Sequence, residues 1–243
     1  MIVFVHGVPE TDAIWRKVRA FVDGESVAAA LPGFGSARPD GFPATKDAYV
    51  DWLVGELDRI DEPIDLVGHD WGAILTFRIA TLYGERLRSW VADVGNCAHP
   101  TYVWHEFAQL WQTPGDGEAF VEAQAATPID QRAQGLAALG VPAEDAVELA
   151  TGWDETMGYC ILDLYRSAKP NVHADWGPWQ PTSAPGLIVH TVDDPFSNDA
   201  LARETANLLG ADVAVLDGPG HFWPYQAPER GAELLRRFWS RIG

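Results

Sequence analysis

Apolar residues along this chain fall into six short runs closed by turn residues, with stretches of helical spacing between them. "MIVFV" (1–5) reads as a buried strand stopped by Gly7 and Pro9. "SVAAAL" (26–31) is a second, stopped by "PGFG", and "IDLVGH" (64–69) a third. "LRSWVADV" (87–94), "GLIVHTV" (186–192) and "DVAVLDG" (212–218) complete the set. Tyr49, Leu53 and Leu57 recur at helical spacing, which predicts a helix over about 45–60. Another helix begins at or just past Asp70. The last runs from about Pro228, with Leu234, Leu235, Phe238 and Ile242 on one face. Strands alternating with helices predict an α/β fold, a mostly parallel sheet wrapped by helices.

Residues 97–180 break this rhythm. They carry no strand pattern, five tryptophans (Trp104, Trp111, Trp153, Trp176, Trp179) and turn signals at "TPGDG" and "ALGVP". The stretch is too long for a loop. It is expected to be a helical lid on the strand C-terminal edge, where open α/β sheets bind ligands. The expected division is therefore 1–96 with 181–243 as the core, and 97–180 as the insertion.

Composition narrows the function. The chain has 243 residues, 47% apolar and 21% charged, a globular balance. Its net charge of −18, from 17 basic and 35 acidic residues, disfavours nucleic acid as a partner. Two cysteines, Cys97 and Cys160, make no disulfide framework, and a reducing cytoplasm is expected. No apolar stretch reaches membrane-spanning length, and the N-terminus lacks a basic region before its short apolar run.

The chemistry concentrates at three strand exits. "GHDWG" places Asp70 between glycines, after a strand and before a helix, in the form of a nucleophile elbow. A carboxylate of ordinary pKa, about 3.9, needs no base to become anionic at neutral pH. It can attack an sp3 carbon bearing a leaving group and form an ester on the enzyme. The plainer reading is that Asp70 only caps the helix. "GPGHFWP" places His221 past the last strand, and "VHTVDDPF" places Asp193 and Asp194 past the fifth. His221 would activate water for ester hydrolysis. Asp194, with Asp193 as fallback, would hold the imidazole tautomer. The turn "HGVPE" offers the Val8 N–H, joined by the Trp71 N–H, as an oxyanion hole. His6 and His69 read as supporting hydrogen bonders. No HExxH or Cys/His cluster suggests a metal, and no cofactor is implied.

"HGVPE", "LPGFGSA", "GHDWGA", "DDPF" and "GHFWPYQAPE", in this order, resemble the α/β-hydrolase superfamily in its epoxide hydrolase and haloalkane dehalogenase branch. The resemblance covers nearly the whole chain and is weakest in the lid. It usually includes two antiparallel strands before the "HG" strand, so a sheet shortened at one edge is expected. In epoxide hydrolases two lid tyrosines protonate the opening oxygen. "DLYRSA" resembles the segment carrying one, which implies Tyr165; Phe107 or Ala108 stands where the other would fall. Tyr102, Tyr159 and His105 are candidate substitutes. Dehalogenases need halide donors; Trp71 resembles one, but Val8 stands where many have an asparagine. Fluoroacetate-type relatives place an arginine where Trp71 stands. Trp104 and Trp111 are expected to line the substrate site. The resemblance thus implies an epoxide hydrolase-like enzyme for a small or medium apolar substrate, with haloalkane dehalogenation as the alternative. A non-catalytic ligand-binding protein of this fold is the alternative of another class, and needs none of the three residues.

Overall fold

The computed structural model describes residues 1–243. Six strands form one sheet: β1 (Ile2–Val5), β2 (Ser26–Ala29), β3 (Ile64–Gly68), β4 (Leu87–Ala92), β5 (Gly186–Thr191) and β6 (Asp212–Leu216). Their order is β2-β1-β3-β4-β5-β6, and every pairing is parallel. β2 forms one edge of this sheet and β6 the other. β1, β3 and β5 are buried along their whole length, which is why they read as unbroken apolar runs. Alternate residues still face opposite ways: Val3, Val5, Leu66 and Ile188 join one core, and Ile2, Phe4, Val67 and Leu187 the other.

The helices of the first half are α1 (Arg16–Arg19), α2 (Lys46–Leu57) and α3 (Trp71–Tyr83). Thr45 caps α2 by accepting the Ala48 N–H at 3.3 Å. Between β4 and β5 there is no strand. This segment holds α4 (Glu106–Gln112), α5 (Asp116–Ala126), α6 (Ile129–Ala138), α7 (Ala143–Gly152), α8 (Glu155–Arg166) and α9 (His173–Trp176). Asp154 caps α8 through the Met157 N–H at 2.8 Å, and α8 buries Met157, Cys160, Ile161, Leu164 and Tyr165. α10 (Asp199–Leu209), α11 (Trp223–Gln226) and α12 (Pro228–Ile242) complete the chain. No helix is long and apolar enough to cross a membrane.

β1 leads to β2 on one side, and the chain returns to lay β3 on the other. The strand order therefore reverses between β1 and β3. A crevice opens at such a point above the strand C-termini. The turns leaving β1 and β3 carry Gly7–Val8 and Asp70 to this crevice.

Candidate active site

Asp70 follows β3 and opens α3 with φ 51° and ψ −120°. This left-handed φ is strained for a residue with a side chain. The strain falls on Asp70 itself; the flanking glycines serve close approach instead. A Cβ on Gly72 would lie 2.2 Å from the Val5 carbonyl oxygen, and one on Gly68 would lie 2.2 Å from the Gly72 oxygen. Gly7 obeys the same rule, since its Cβ would sit 2.4 Å from Asp70 Oδ1. The Asp70 side chain makes no cap bond to α3. Its Oδ1 accepts the Val8 N–H at 2.8 Å instead. The Trp71 N–H makes no bond to this carboxylate in the present state. The capping role is therefore not what this residue performs.

His221, after β6, turns Nε2 toward Asp70 Oδ2 at 3.8 Å and Nδ1 toward Asp194 Oδ2 at 3.0 Å. Asp194 is buried, and its other oxygen accepts the Phe196 N–H at 2.8 Å. Asp193 is exposed. The choice between these two neighbours is thus made by which one faces inward. Burial raises the Asp70 carboxyl to about 6, against the pull of His221. Burial would lower His221, but the Asp194 carboxylate outweighs it and raises the imidazole above its ordinary value.

A second buried network adjoins it; the sequence marks His69 as a supporting hydrogen bonder but not Glu10 and Asp93 as its partners. His69 Nε2 meets Glu10 Oε1 at 3.1 Å, and its Nδ1 meets Asp93 Oδ2 at 2.5 Å. Burial would lower His69, yet these two carboxylates hold it well above its ordinary value, as an imidazolium. Burial would raise both acids, and the His69 charge pulls both below theirs. The network ties the elbow together. Asp93 Oδ1 accepts the Asp70 N–H at 2.9 Å and Oδ2 the Trp223 indole N–H at 2.7 Å; Glu10 Oε2 accepts the Gly7 N–H at 2.9 Å. These bonds also explain why β4 stops at Ala92, since Asp93 turns to the elbow. Glu10, His69 and His221 bring possible ligand atoms within 4.8 Å of one another. Both His69 nitrogens are already held by carboxylates, so the cluster is a hydrogen-bond network and not a free ligand set. His6 is fully buried; Nδ1–H donates to the Gly7 carbonyl at 2.7 Å and Nε2 accepts the Leu31 N–H at 3.2 Å. Burial lowers its pKa, consistent with this neutral tautomer.

Asp70, His221 and Val8 open into a cavity of about 380 Å³, lined mainly by apolar and aromatic residues. Tyr102, Trp104, His105, Phe107, Trp111 and Tyr165 belong to its wall. Trp71 is fully buried, stacked on Trp104 at 5.6 Å and edge-on to Tyr165 at 5.2 Å. Burial, with the Asp70 charge adding, raises the Tyr165 phenol well above its ordinary value; it stays protonated. Tyr159 is 43% exposed and away from the cavity. His105 Nδ1 accepts the Ala108 N–H at 3.2 Å, and burial lowers its pKa to about 4. The Trp111 indole N–H is buried without a partner, whereas that of Trp104 donates to the Ala168 carbonyl at 3.0 Å.

Residues 2–234 match the model of the alpha/beta hydrolase family. Epoxide hydrolase 2 of Siraitia grosvenorii is 32% identical over 96 residues, 37% of this chain and 30% of that protein. A haloalkane dehalogenase of Mesorhizobium japonicum is 32% identical over 133 residues, 49% of this chain and 42% of that protein. The chain thus matches between about a third and two fifths of these relatives' length. The solved structure of Bacillus megaterium epoxide hydrolase with an inhibitor superposes with a TM-score of 0.80 at 18% identity, over 98% of this chain and 93% of that one. With the parallel sheet and the elbow, the family match over nearly the whole sequence shows that this chain belongs to the alpha/beta hydrolase family.

Proposed function

We propose that the protein is an epoxide hydrolase-like enzyme using Asp70 as nucleophile, with residues 97–180 as the cap over its site. The observation that carries this reading is Tyr165, a protonated buried phenol in the wall of the cavity that holds the Asp70 carboxylate. In the first step an Asp70 oxygen bonds to an epoxide carbon. The carbon–oxygen bond breaks toward oxygen, which takes the Tyr165 proton. In the second step His221 Nε2 takes a proton from water, whose oxygen adds to the ester carbonyl carbon. The Val8 N–H, which already donates to Asp70 Oδ1, stabilises the oxyanion that forms there. Asp194 orients the imidazole and offsets its positive charge. Collapse of the intermediate releases the diol, the proton held by His221 passes to the departing oxygen, and Asp70, left as a carboxylic acid, gives up its proton to solvent. Tyr165 regains its proton from solvent.

Haloalkane dehalogenation is the second reading, favoured by the partnerless indole N–H groups of Trp71, next to Asp70, and of Trp111, in the cavity wall. Halide is a stable anion and needs only such weak donors. A purely ligand-binding role leaves the strained Asp70 backbone and its aligned histidine without a purpose.

The test is His221→Gln with an epoxide panel and a haloalkane panel, read by intact mass. An epoxide adds all its atoms to Asp70, whereas a haloalkane adds its mass less HX. Accumulation of the epoxide adduct, slowed about 10²–10⁴-fold by Tyr165→Phe, is the expected result. A folded variant that accumulates no adduct from either panel overturns the mechanism. An adduct from haloalkanes alone moves the assignment to dehalogenation.

A further inference from the structure

The cavity extends beyond the reacting groups. From Asp70 and His221 it continues beneath the cap between α5, α6 and α7, and its walls there include Gln124, Thr127, Gln131, Arg132, Leu136 and Trp153. Three of these are neutral polar side chains, and one is a cation. Arg132 stands out in a chain with 35 acidic and 17 basic residues. No carboxylate lies within ion-pair distance of it, although most arginines of this protein have one. Its Nη1 donates to the Gln124 carbonyl oxygen at 3.1 Å, and its guanidinium carbon lies 5.1 Å over the Trp153 ring. Its Nε is buried and has no hydrogen-bond partner.

A buried N–H left without an acceptor is unfavourable, and more so on a charged group. Stacking on Trp153 holds the guanidinium plane but accepts none of its protons. Protein atoms close Nε off, but Nη2 has no protein acceptor, and in the cavity wall it and Nη1 can donate to an acceptor carrying negative charge. We propose that Arg132 binds the carboxylate end of an amphipathic substrate whose apolar middle fills the cavity and whose electrophilic carbon reaches Asp70. One arginine among neutral Gln124, Gln131 and Thr127 matches a single negative charge. A phosphate monoester would bring close to two charges to one cation. The guanidinium fork suits a planar carboxylate, which can take two parallel N–H donors. The inference rests on the Asp70 reading for the reacting end. It also revises the substrate from the wholly apolar molecule expected from sequence to one with an anionic terminus.

Equilibrium binding tests the anionic end without requiring any turnover. Trp104, Trp111 and Trp153 line the cavity, so ligand binding is read from tryptophan fluorescence. The ligands are straight-chain carboxylates of increasing length, each paired with its primary amide and its alkyl phosphate. At the best length the carboxylate should bind at least tenfold tighter than the amide, and tighter than the phosphate. In Arg132→Gln the carboxylate-to-amide ratio should collapse to about one. Arg132→Lys, which keeps the charge but loses the fork, should retain part of the preference. Equal binding of carboxylate and amide at every length overturns the proposal. So does a preference that survives Arg132→Gln, or a phosphate that outcompetes the carboxylate. If both Arg132 variants lose carboxylate and amide binding together, the residue only supports the cap, and the proposal fails. A final arm compares alkylation of His221→Gln by a terminal epoxide bearing a distal carboxylate and by its methyl ester. The preference for the acid should disappear when Arg132→Gln is added. Loss of alkylation with binding preference intact counts against the Asp70 reading alone. Alkylation of acid and ester at equal rates counts against Arg132 alone.

Discussion

Asp70 combines a strained backbone with a carboxylate that burial holds at about pKa 6. Both features are unfavourable to the fold, and sites of this kind commonly trade stability for activity. The sign of the pH effect follows from proton counts. Between an ordinary aspartate value and about 6, the folded chain retains a proton that the unfolded chain has released. Stability therefore falls as pH rises through that window, and the loss is complete above it. It amounts to about 3 kcal/mol. Asp70→Asn keeps an oxygen for the Val8 N–H and removes the charge. It should melt a few degrees above the parent at pH 7.5, with the advantage fading toward about pH 4 in thermal denaturation. An identical melting point at pH 7.5 would show that the buried charge is compensated elsewhere. On the proposed mechanism, single-turnover alkylation should for the same reason fall about tenfold from its plateau when pH drops to one unit below the Asp70 pKa.

At the scale of the element, α3 owes its position to Gly68 and Gly72. Gly72 lets its first turn cross the end of β1, where an added Cβ would lie 2.2 Å from the Val5 oxygen and 2.7 Å from the His6 oxygen. Backbone cannot move aside as a flexible side chain can. Gly72→Ala should therefore cost more than about 3 kcal/mol in denaturant unfolding, or prevent folding. Gly55 offers the control. It lies exposed in α2 with nothing within 4 Å of the place a Cβ would take, and its backbone is already helical. Gly55→Ala should stabilise the protein by about 0.5–1 kcal/mol, because alanine loses less backbone freedom in a helix. A destabilised Gly55→Ala would contradict this account of how glycine acts in the two helices.

The whole molecule carries a net charge of −18. Many of its cations are already engaged, as in Arg16–Glu148, Arg38–Asp163 and Arg166–Glu118. The remaining negative charges repel one another across the compact surface. Salt screens that repulsion over about 10 Å at 0.1 M. Raising sodium chloride from 10 mM to 0.5 M should increase the melting temperature. A decrease would mean that the surface ion pairs, which salt also weakens, outweigh the repulsion.

The sequence alone determined the features written in neighbouring residues. β1, β3 and β5 are legible because strands buried on both faces need continuous apolar runs. The elbow is legible because Gly68, Asp70 and Gly72 are local, and His221 because a Gly/Pro loop marks a strand exit. α10 was also within reach, through Asn198 as its N-cap, Gly210 with φ 71° at its end, and Ala202, Thr205, Ala206 and Leu209 buried at helical spacing, although most of these buried residues are small. The tertiary structure decided what depends on distant partners. Glu10 and Asp93 join His69 from 59 and 24 positions away, so no spacing rule reveals the imidazolium they create. The sequence favours Asp194, beside Pro195, over Asp193, but only the turn after β5 aims it at His221. Arg132 looks like any helix arginine until packing shows a guanidinium without a carboxylate partner in the cavity wall. Hydrophobic patterning is a local consequence of burial, whereas a site is made where separate strand exits and the helices between β4 and β5 converge.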